Sequence, residues 1–244
     1  MPPFFKSKFI YYVVSISFVA GIYWGVNRNS LLNPAALPPF VKTSKLSLLL
    51  MENTIPQDIL ESFEAHYSTK VVADSFRSSA EFESKMANNK YDIVSTFPKE
   101  TRSLILKNEV LELTESHLNH RNNISVDFKN LPFDPHSLFG IPLLWGVSES
   151  SATSYTDLIK SHSNSDISKA SNLWILSLLI LKSSSDKKSD HLFIDYLLSS
   201  DVSFQLSQNS GLATTNRALE SRDLPEALKA SYIRKLPIRN LHID

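Results

Sequence analysis

Two histidines stand at a spacing that could bind a metal. In His117-x-x-His120 the two imidazoles would share one face of a helix. A zinc site needs at least a third protein ligand, but none follows at a recognisable spacing, and the sequence has no His-Glu-x-x-His pattern. We therefore interpret both residues as solvated surface histidines and predict no metal site.

Catalytic patterns are equally sparse. The sequence contains no Gly-x-Ser-x-Gly elbow, no nucleophile beside a plausible base and no pair of acids at a spacing typical of a site. Asp92 and Asp134 stand as single acids, which favours structural roles for both. The five glycines form no Gly-rich phosphate loop. We predict that the chain is not an enzyme and that it uses no cofactor.

The composition excludes several partners. The chain of 244 residues carries 25 basic and 25 acidic side chains, so no net field draws it to nucleic acid or to an anionic membrane surface. Cysteine is absent, which excludes disulfides and thiolate metal ligands. The length allows one or two domains.

Residues 9–26 form an uncharged, mostly apolar run that would reach roughly 27 Å as a helix, close to the ~30 Å thickness of a bilayer core. Aromatic residues near both ends suit the two interfaces. We predict a single-pass anchor in the inner (cytoplasmic) membrane, with 1–8 cytoplasmic and the rest on the periplasmic or extracellular side. A cleaved signal peptide is the alternative, and both interpretations export the domain. Residues 27–44, with three prolines between 33 and 39, predict an extended linker.

From residue 45 onwards the pattern alternates between strand and helix. Short apolar runs at 46–50, 69–73 and 91–94 are separated by segments in which residues such as Ile59, Phe63 and Tyr67 recur at helical spacing. A capping-box pattern stands at the start of each helical segment: Thr54-x-x-Gln57 for the first and Ser78-x-x-Glu81 for the second. Apolar strands joined by amphipathic helices predict an open, mainly parallel sheet flanked by helices, with 46–50 at its centre between the other two strands.

Later segments continue this pattern. Residues 99–107 predict a third helix, and 141–147 predict a further strand. The run 173–181 is apolar on nearly every side, and we predict a helix over 167–182. Either that helix folds down and closes the core, or part of Trp174, Leu178 and Leu181 stays exposed as a surface for self-association or for a partner.

Three groups of segments resemble a known family. They are PQDILESFE (56–64) with KVV (70–72) and YDIV (91–94), then LPFDP (131–135) running into IPLLWG (141–146), and finally FIDYLLSSDV (193–202) with GLATTN (211–216). In this order they resemble bacterial extracellular solute-binding proteins of the type II periplasmic class, in the spermidine/putrescine-binding branch. The resemblance covers about 45–150 and 188–220, and it implies a single lobe of that fold over 45–244.

The chain departs from this family where a second lobe is expected. Only residues 148–188 separate the segment that resembles the crossing out of the first lobe from the one that resembles the return. About forty residues cannot build a second α/β lobe, since independent domains usually need about 50 or more. We predict that most of the second lobe is missing and that 148–188 is its vestige.

The resemblance also indicates candidate ligand-binding residues. It places the family's aromatic clamp on Met51, beside Glu52, and a second aromatic wall on Phe97, which follows Ser95 and Thr96. Methionine has no ring face for a cation, and the carboxylates of the second lobe have no counterpart. The alternative is that all five are ordinary loop residues at the carboxyl edge of the sheet.

Two functions remain open. The chain is the binding component of a transport system for polyamine-like or other small polar solutes, or it is an envelope interaction or regulatory module that has lost solute capture. The expected partners are the inner membrane through 9–26, a membrane transporter or another envelope protein, and a second copy of the chain.

Overall fold

The computed structural model describes residues 44–148 and 172–224. The strands are β1 (Ser44–Met51), β2 (Thr69–Phe76), β3 (Ile93–Thr96), β4 (Gly140–Ser148), β5 (Asn172–Ile180) and β6 (Ala213–Thr214). The α-helices in these ranges are α1 (Gln57–Tyr67), α2 (Ser79–Asn88), α3 (Pro98–Leu106), α4 (Lys187–Leu198) and α5 (Ser200–Ser210). Short 3-10 turns at Glu115–His117, Arg121–Asn123 and Val126–Phe128 carry the chain from α3 towards β4.

The predicted anchor at 9–26 lies outside the described residues. Within 44–148 and 172–224, no helix combines the length and the hydropathy needed to cross a membrane.

The strands form one sheet in the order β2-β1-β3-β5-β4-β6. β1 pairs in parallel with β2, where Leu46 lies opposite Val71, and with β3, where Leu48 lies opposite Ile93. This confirms the parallel pairing of 46–50 with the other two strands. The central position predicted for 46–50 is wrong, because β3 and β5 occupy the middle of the sheet. The pairings of β3 with β5, of β5 with β4 and of β4 with β6 are antiparallel. The sheet is therefore mixed, and the prediction of a mainly parallel sheet is wrong, because the chain enters β5 from the edge at which β4 ends.

The helix predicted over 167–182 is also wrong where the structure describes it, since 172–180 form β5. β5 lies between β3 and β4 in the middle of the sheet. An unbroken apolar run suits a strand buried on both faces as well as it suits a buried helix, and periodicity alone does not separate the two. The position in the sheet decided the structure of this run.

Of the two alternatives predicted for this run, a closed core or an exposed patch, burial contradicts the exposed patch. Trp174, Leu178 and Leu181 are only 3%, 0% and 4% exposed. A central strand has neighbours on both edges and packed layers on both faces, so its side chains belong to the core. These three residues are not available as a partner or self-association surface.

The helices follow the sequence signals in most places. The Ser78 hydroxyl accepts a hydrogen bond from the Glu81 N–H at 3.2 Å, and the Glu81 carboxylate accepts one from the Arg77 N–H at 2.9 Å. The capping box predicted for α2 is thus present, with its reciprocal bond shifted by one residue. Thr54 does not cap α1: its hydroxyl donates to the Met51 carbonyl at 2.6 Å, and Pro56 is the N-cap residue.

The last described helices bring the chain back onto the first half of the sheet. α4 packs on β1, β4 and β5. The Phe193 ring of α4 meets the Phe63 ring of α1 edge-to-face, with their centroids 5.0 Å apart. Both rings are fully buried, so α1 and α4 share one apolar core although they are far apart in sequence.

Asp134 has the structural role predicted for it. Its carboxylate accepts three backbone N–H groups, those of Leu138 at 3.0 Å, Phe139 at 3.0 Å and Gly140 at 2.9 Å. These bonds hold the turn that delivers the chain into β4. Asp92 is structural as well, because its carboxylate accepts the Ser47 N–H of β1 at 2.8 Å.

Candidate functional site

Five strand ends meet at one edge of the sheet. The parallel strands β1, β2 and β3 end there at Met51, Phe76 and Thr96. β5 runs antiparallel to both β3 and β4, so β4 has the same direction as β3. β4 therefore ends at this edge and β5 begins there, where Ser148 lies opposite Asn172. In open α/β sheets the carboxyl edge is where ligands bind. Ser148 and Asn172, the described residues on either side of 149–171, therefore lie at the same edge as the predicted site residues.

Met51 and Ser95 are brought together, but inside the core. The Met51 N–H donates to the Ser95 hydroxyl at 2.6 Å, which ties the end of β1 to the end of β3. Both side chains are buried, with at most 1% of either residue exposed. Their contacts join strands and present no polar atom to the edge.

Thr96 and Phe97 have similar internal partners. The Thr96 and Thr101 hydroxyls are 2.7 Å apart, and the Thr101 hydroxyl also donates to the Phe97 carbonyl at 2.9 Å. The buried Phe97 ring lies edge-on to Trp174, with their centroids 6.3 Å apart. The ring that the resemblance placed as a wall of the site packs against β5.

Glu52 is the one predicted site residue whose charge lies near solvent. Arg77 binds its carboxylate with two hydrogen bonds, from Nε at 2.7 Å and from Nη2 at 2.6 Å. The hydrogen bond to Glu52 raises the pKa of Arg77 above its usual value, so the guanidinium stays charged. The Glu52 N–H donates to the Phe76 carbonyl at 3.0 Å, which holds the pair across the ends of β1 and β2. Arg77 was not among the predicted site residues, although a basic residue directly after a strand is a visible signal.

A cleft of about 400 Å³ lies between α2 and α3. Its apolar floor includes Phe82, Met86 and Leu104, and Lys99 and Glu83 line it too. It runs along the two helices and contains none of the five predicted site residues. Sequence patterns could not have indicated it, because it exists only where two helices pack side by side.

The two histidines of the sequence motif face different partners. The ring nitrogen Nδ1 of His120 lies 2.9 Å from the Asp195 carboxylate of α4, and the backbone N–H of His120 donates to the same carboxylate at 2.7 Å. The His117 ring packs edge-to-face on His191, with their centroids 5.1 Å apart. Within the described ranges, no three His, Asp or Glu side chains are grouped so that they could hold a metal ion.

Known proteins that are similar in sequence or in fold include spermidine/putrescine-binding proteins. A spermidine/putrescine-binding periplasmic protein of Escherichia coli is 27% identical over 119 residues, which are 43% of this chain and 34% of that protein. The solved spermidine/putrescine ABC transporter substrate-binding protein of Streptococcus pneumoniae superposes with a TM-score of 0.66 at 16% identity, covering 82% of this chain and 93% of that one.

The chain resembles the spermidine/putrescine-binding branch of the type II solute-binding proteins. A spermidine/putrescine ABC transporter protein from Listeria monocytogenes has the same fold, with a TM-score of 0.65 at 15% identity over 82% of this chain and 92% of that one. No family model matches the chain. The match spans about a third of the length of the curated solute-binding protein, and 149–171 alone join β4 to β5. The expected resemblance to spermidine/putrescine-binding proteins is thus confirmed.

Proposed function

We propose that the chain recognises a small polar solute for a transport system, at the carboxyl edge of its single lobe. The observation that supports this is the convergence of five strand ends beside the Glu52–Arg77 pair. The relatives with this fold that are named above are solute-binding proteins, so we propose no enzymatic activity. A membrane transporter is the partner that this function requires.

The edge favours solutes other than polyamines. A polyamine carries only positive charges, so the Arg77 guanidinium repels it where Glu52 attracts it. Met51 offers no aromatic face, and the Phe97 ring is buried. An exposed cation–π contact is worth only about 0.5–1 kcal/mol in any case. The pair presents one charge of each sign, which suits a small solute with a carboxylate, an ammonium group or both.

We expect spermidine and putrescine to bind weakly or not at all. The test is a thermal-shift screen of the full-length chain against polyamines, amino acids, dicarboxylates and metal salts, because a ligand at about 100 times its Kd adds roughly 2.7 kcal/mol of stability. Calorimetric binding of spermidine in the micromolar range or tighter would contradict this expectation and restore a polyamine site.

The matched variants for this screen are Glu52→Gln and Arg77→Gln. Each removes one charge of the pair and keeps a side chain that can form hydrogen bonds. A solute that stabilises the parent should lose most of its thermal shift in at least one of the two variants. A solute whose shift survives both changes binds elsewhere on the chain.

The second candidate function is an envelope interaction or regulatory module. The burial of Met51, Ser95, Thr96 and Phe97 by their own neighbours favours it, because an edge whose polar atoms are already bonded has little left for a solute. If none of the solutes in the screen stabilises the chain, this second function replaces the first.

We also propose that residues 9–26 anchor the chain in the inner membrane, with the lobe on the periplasmic or extracellular side. The support is the uncharged apolar run of membrane-spanning length. The full-length chain should stay in the membrane fraction after an alkaline wash. Release into the soluble fraction would show instead that the segment is cleaved as a signal peptide.

A further inference from the structure

β2 is an edge strand whose outer side carries unused hydrogen-bonding groups. It is the first strand in the sheet order, and β1 is its partner among the described strands. The Phe76 carbonyl accepts from Glu52 beside β1, so the even-numbered residues of β2 direct their backbone groups towards β1. By alternation, Val71, Ala73 and Ser75 direct theirs outwards. Such an edge is a template for pairing with another strand.

Two charged side chains from the flanking helices occupy part of this edge. The Glu64 carboxylate of α1 accepts the Val71 N–H at 2.5 Å. The Lys85 ammonium of α2 donates to the Ser75 carbonyl at 2.5 Å. Between them, the N–H and C=O of Ala73 have no partner among the described residues. Glu64 and Lys85, which we call the guards of this edge, therefore cover hydrogen-bonding groups at its two ends and leave those in its middle uncovered.

The exposed residues of β2 are complementary to a second copy of the same strand. Lys70 and Asp74 are exposed, and Val72 is one of three exposed large apolar residues in the described part of the chain, at 38%. If two β2 strands align antiparallel about Val72, each Lys70 lies opposite the Asp74 of the other copy and the two Val72 side chains meet. Opposite charges and β-branched pairs directly across a ladder both stabilise it.

The backbone of this alignment is consistent with the observed strand. Val71 of one copy would form a hydrogen-bonded pair with Ala73 of the other, and both direct their backbone groups outwards. This ladder uses the Val71 N–H that Glu64 occupies and the Ser75 carbonyl that Lys85 occupies. We infer that the outer edge of β2 is a self-association surface for a second copy of the chain, held closed by Glu64 and Lys85.

Disulfide formation at position 72 tests this surface. The chain has no cysteine, so Val72→Cys introduces a single thiol. A non-hydrogen-bonded antiparallel pair places its Cα atoms about 4.5 Å apart, within the range that a disulfide spans. In the full-length chain, removing the guards with Glu64→Ala and Lys85→Met should raise the oxidised dimer fraction roughly tenfold over Val72→Cys alone, because charge-assisted backbone bonds no longer compete.

Two further sets of variants make the result specific. Val126→Cys places a thiol at a valine that is 77% exposed in a turn and should form no more dimer when the guards are removed. In the Val72→Cys variant that lacks both guards, Lys70→Glu sets like charges opposite each other and should reduce the dimer fraction. Combining Lys70→Glu with Asp74→Lys should restore the dimer fraction.

The proposal is overturned if removing the guards leaves the dimer fraction of the Val72→Cys variant unchanged, or if Val126→Cys responds equally. A urea midpoint measured on each reduced variant shows whether it is folded. If the variant that lacks both guards is unfolded, Lys85→Met alone provides the test, with a smaller increase expected and no increase overturning the proposal.

Discussion

We expect the free energy of unfolding of Asp190→Asn, measured relative to the parent, to be roughly 2 to 4 kcal/mol higher at pH 8 than at pH 4. Asp190 lies in the first turn of α4 and is completely buried. The Ser184 hydroxyl donates to its Oδ2 at 2.5 Å, but its buried Oδ1 has no hydrogen-bond partner among the described residues. A charged carboxylate is poorly solvated in such a place.

Burial raises the pKa of Asp190 to about 7, and the nearby carboxylates of Asp92 and Asp186 add to the rise. The Ser184 hydrogen bond and the Lys187 charge act in the opposite direction. Well below pH 4, the folded and unfolded states both carry the proton. Between about pH 4 and pH 7 the unfolded chain loses it while the folded chain keeps it, so stability falls as the pH rises. Asparagine does not ionise and removes this loss.

Urea unfolding of the full-length parent and variant at pH 4 and pH 8 measures the effect. Asp127→Asn is the matched control, because Asp127 is exposed and the same charge is removed; it should change stability by less than about 0.5 kcal/mol at both pH values. An Asp190→Asn variant whose stability relative to the parent is the same at both pH values would show that Asp190 is not held neutral in the folded state.

Truncating Leu178 to alanine should cost about 2 to 5 kcal/mol of stability without changing the oligomeric state. Leu178 is fully buried in β5, opposite Ser95 of β3 and Ile141 of β4. Loss of its methyl groups leaves a cavity in the core against the face of the sheet, and the surrounding residues fill such a cavity only in part. The same substitution at Leu106, which is 77% exposed at the end of α3, should change stability by less than about 0.5 kcal/mol.

Urea midpoints and light scattering on the full-length variants check both parts of this prediction. The result that contradicts it is an oligomer in the parent that Leu178→Ala splits while leaving the midpoint unchanged. That outcome would restore the interpretation of the 173–181 run as a partner surface.

Local signals determined the first half of the sheet. The runs at 46–50, 69–73 and 91–94 are short, apolar and separated by helices of crossover length, so their parallel pairing followed from the pattern. Ser78 and Glu81 marked the start of α2 for a similar reason, since a capping box depends only on residues close in sequence. The family resemblance rested on segments of this local kind.

The tertiary structure decided what depends on distant neighbours. The run 173–181 carries no information on whether strands or helices will surround it, and only the gap between β3 and β4 made it a strand. Met51, Ser95 and Phe97 were placed correctly at the carboxyl edge, but their burial depends on β5, which the sequence pattern did not put beside them. The same holds for the Glu52–Arg77 pair, for the burial that raises the pKa of Asp190, and for the contacts of the two guards with β2. Each depends on segments that meet only after folding. A local pattern reports the preference of one segment, whereas burial and charge pairing are properties of the space between segments.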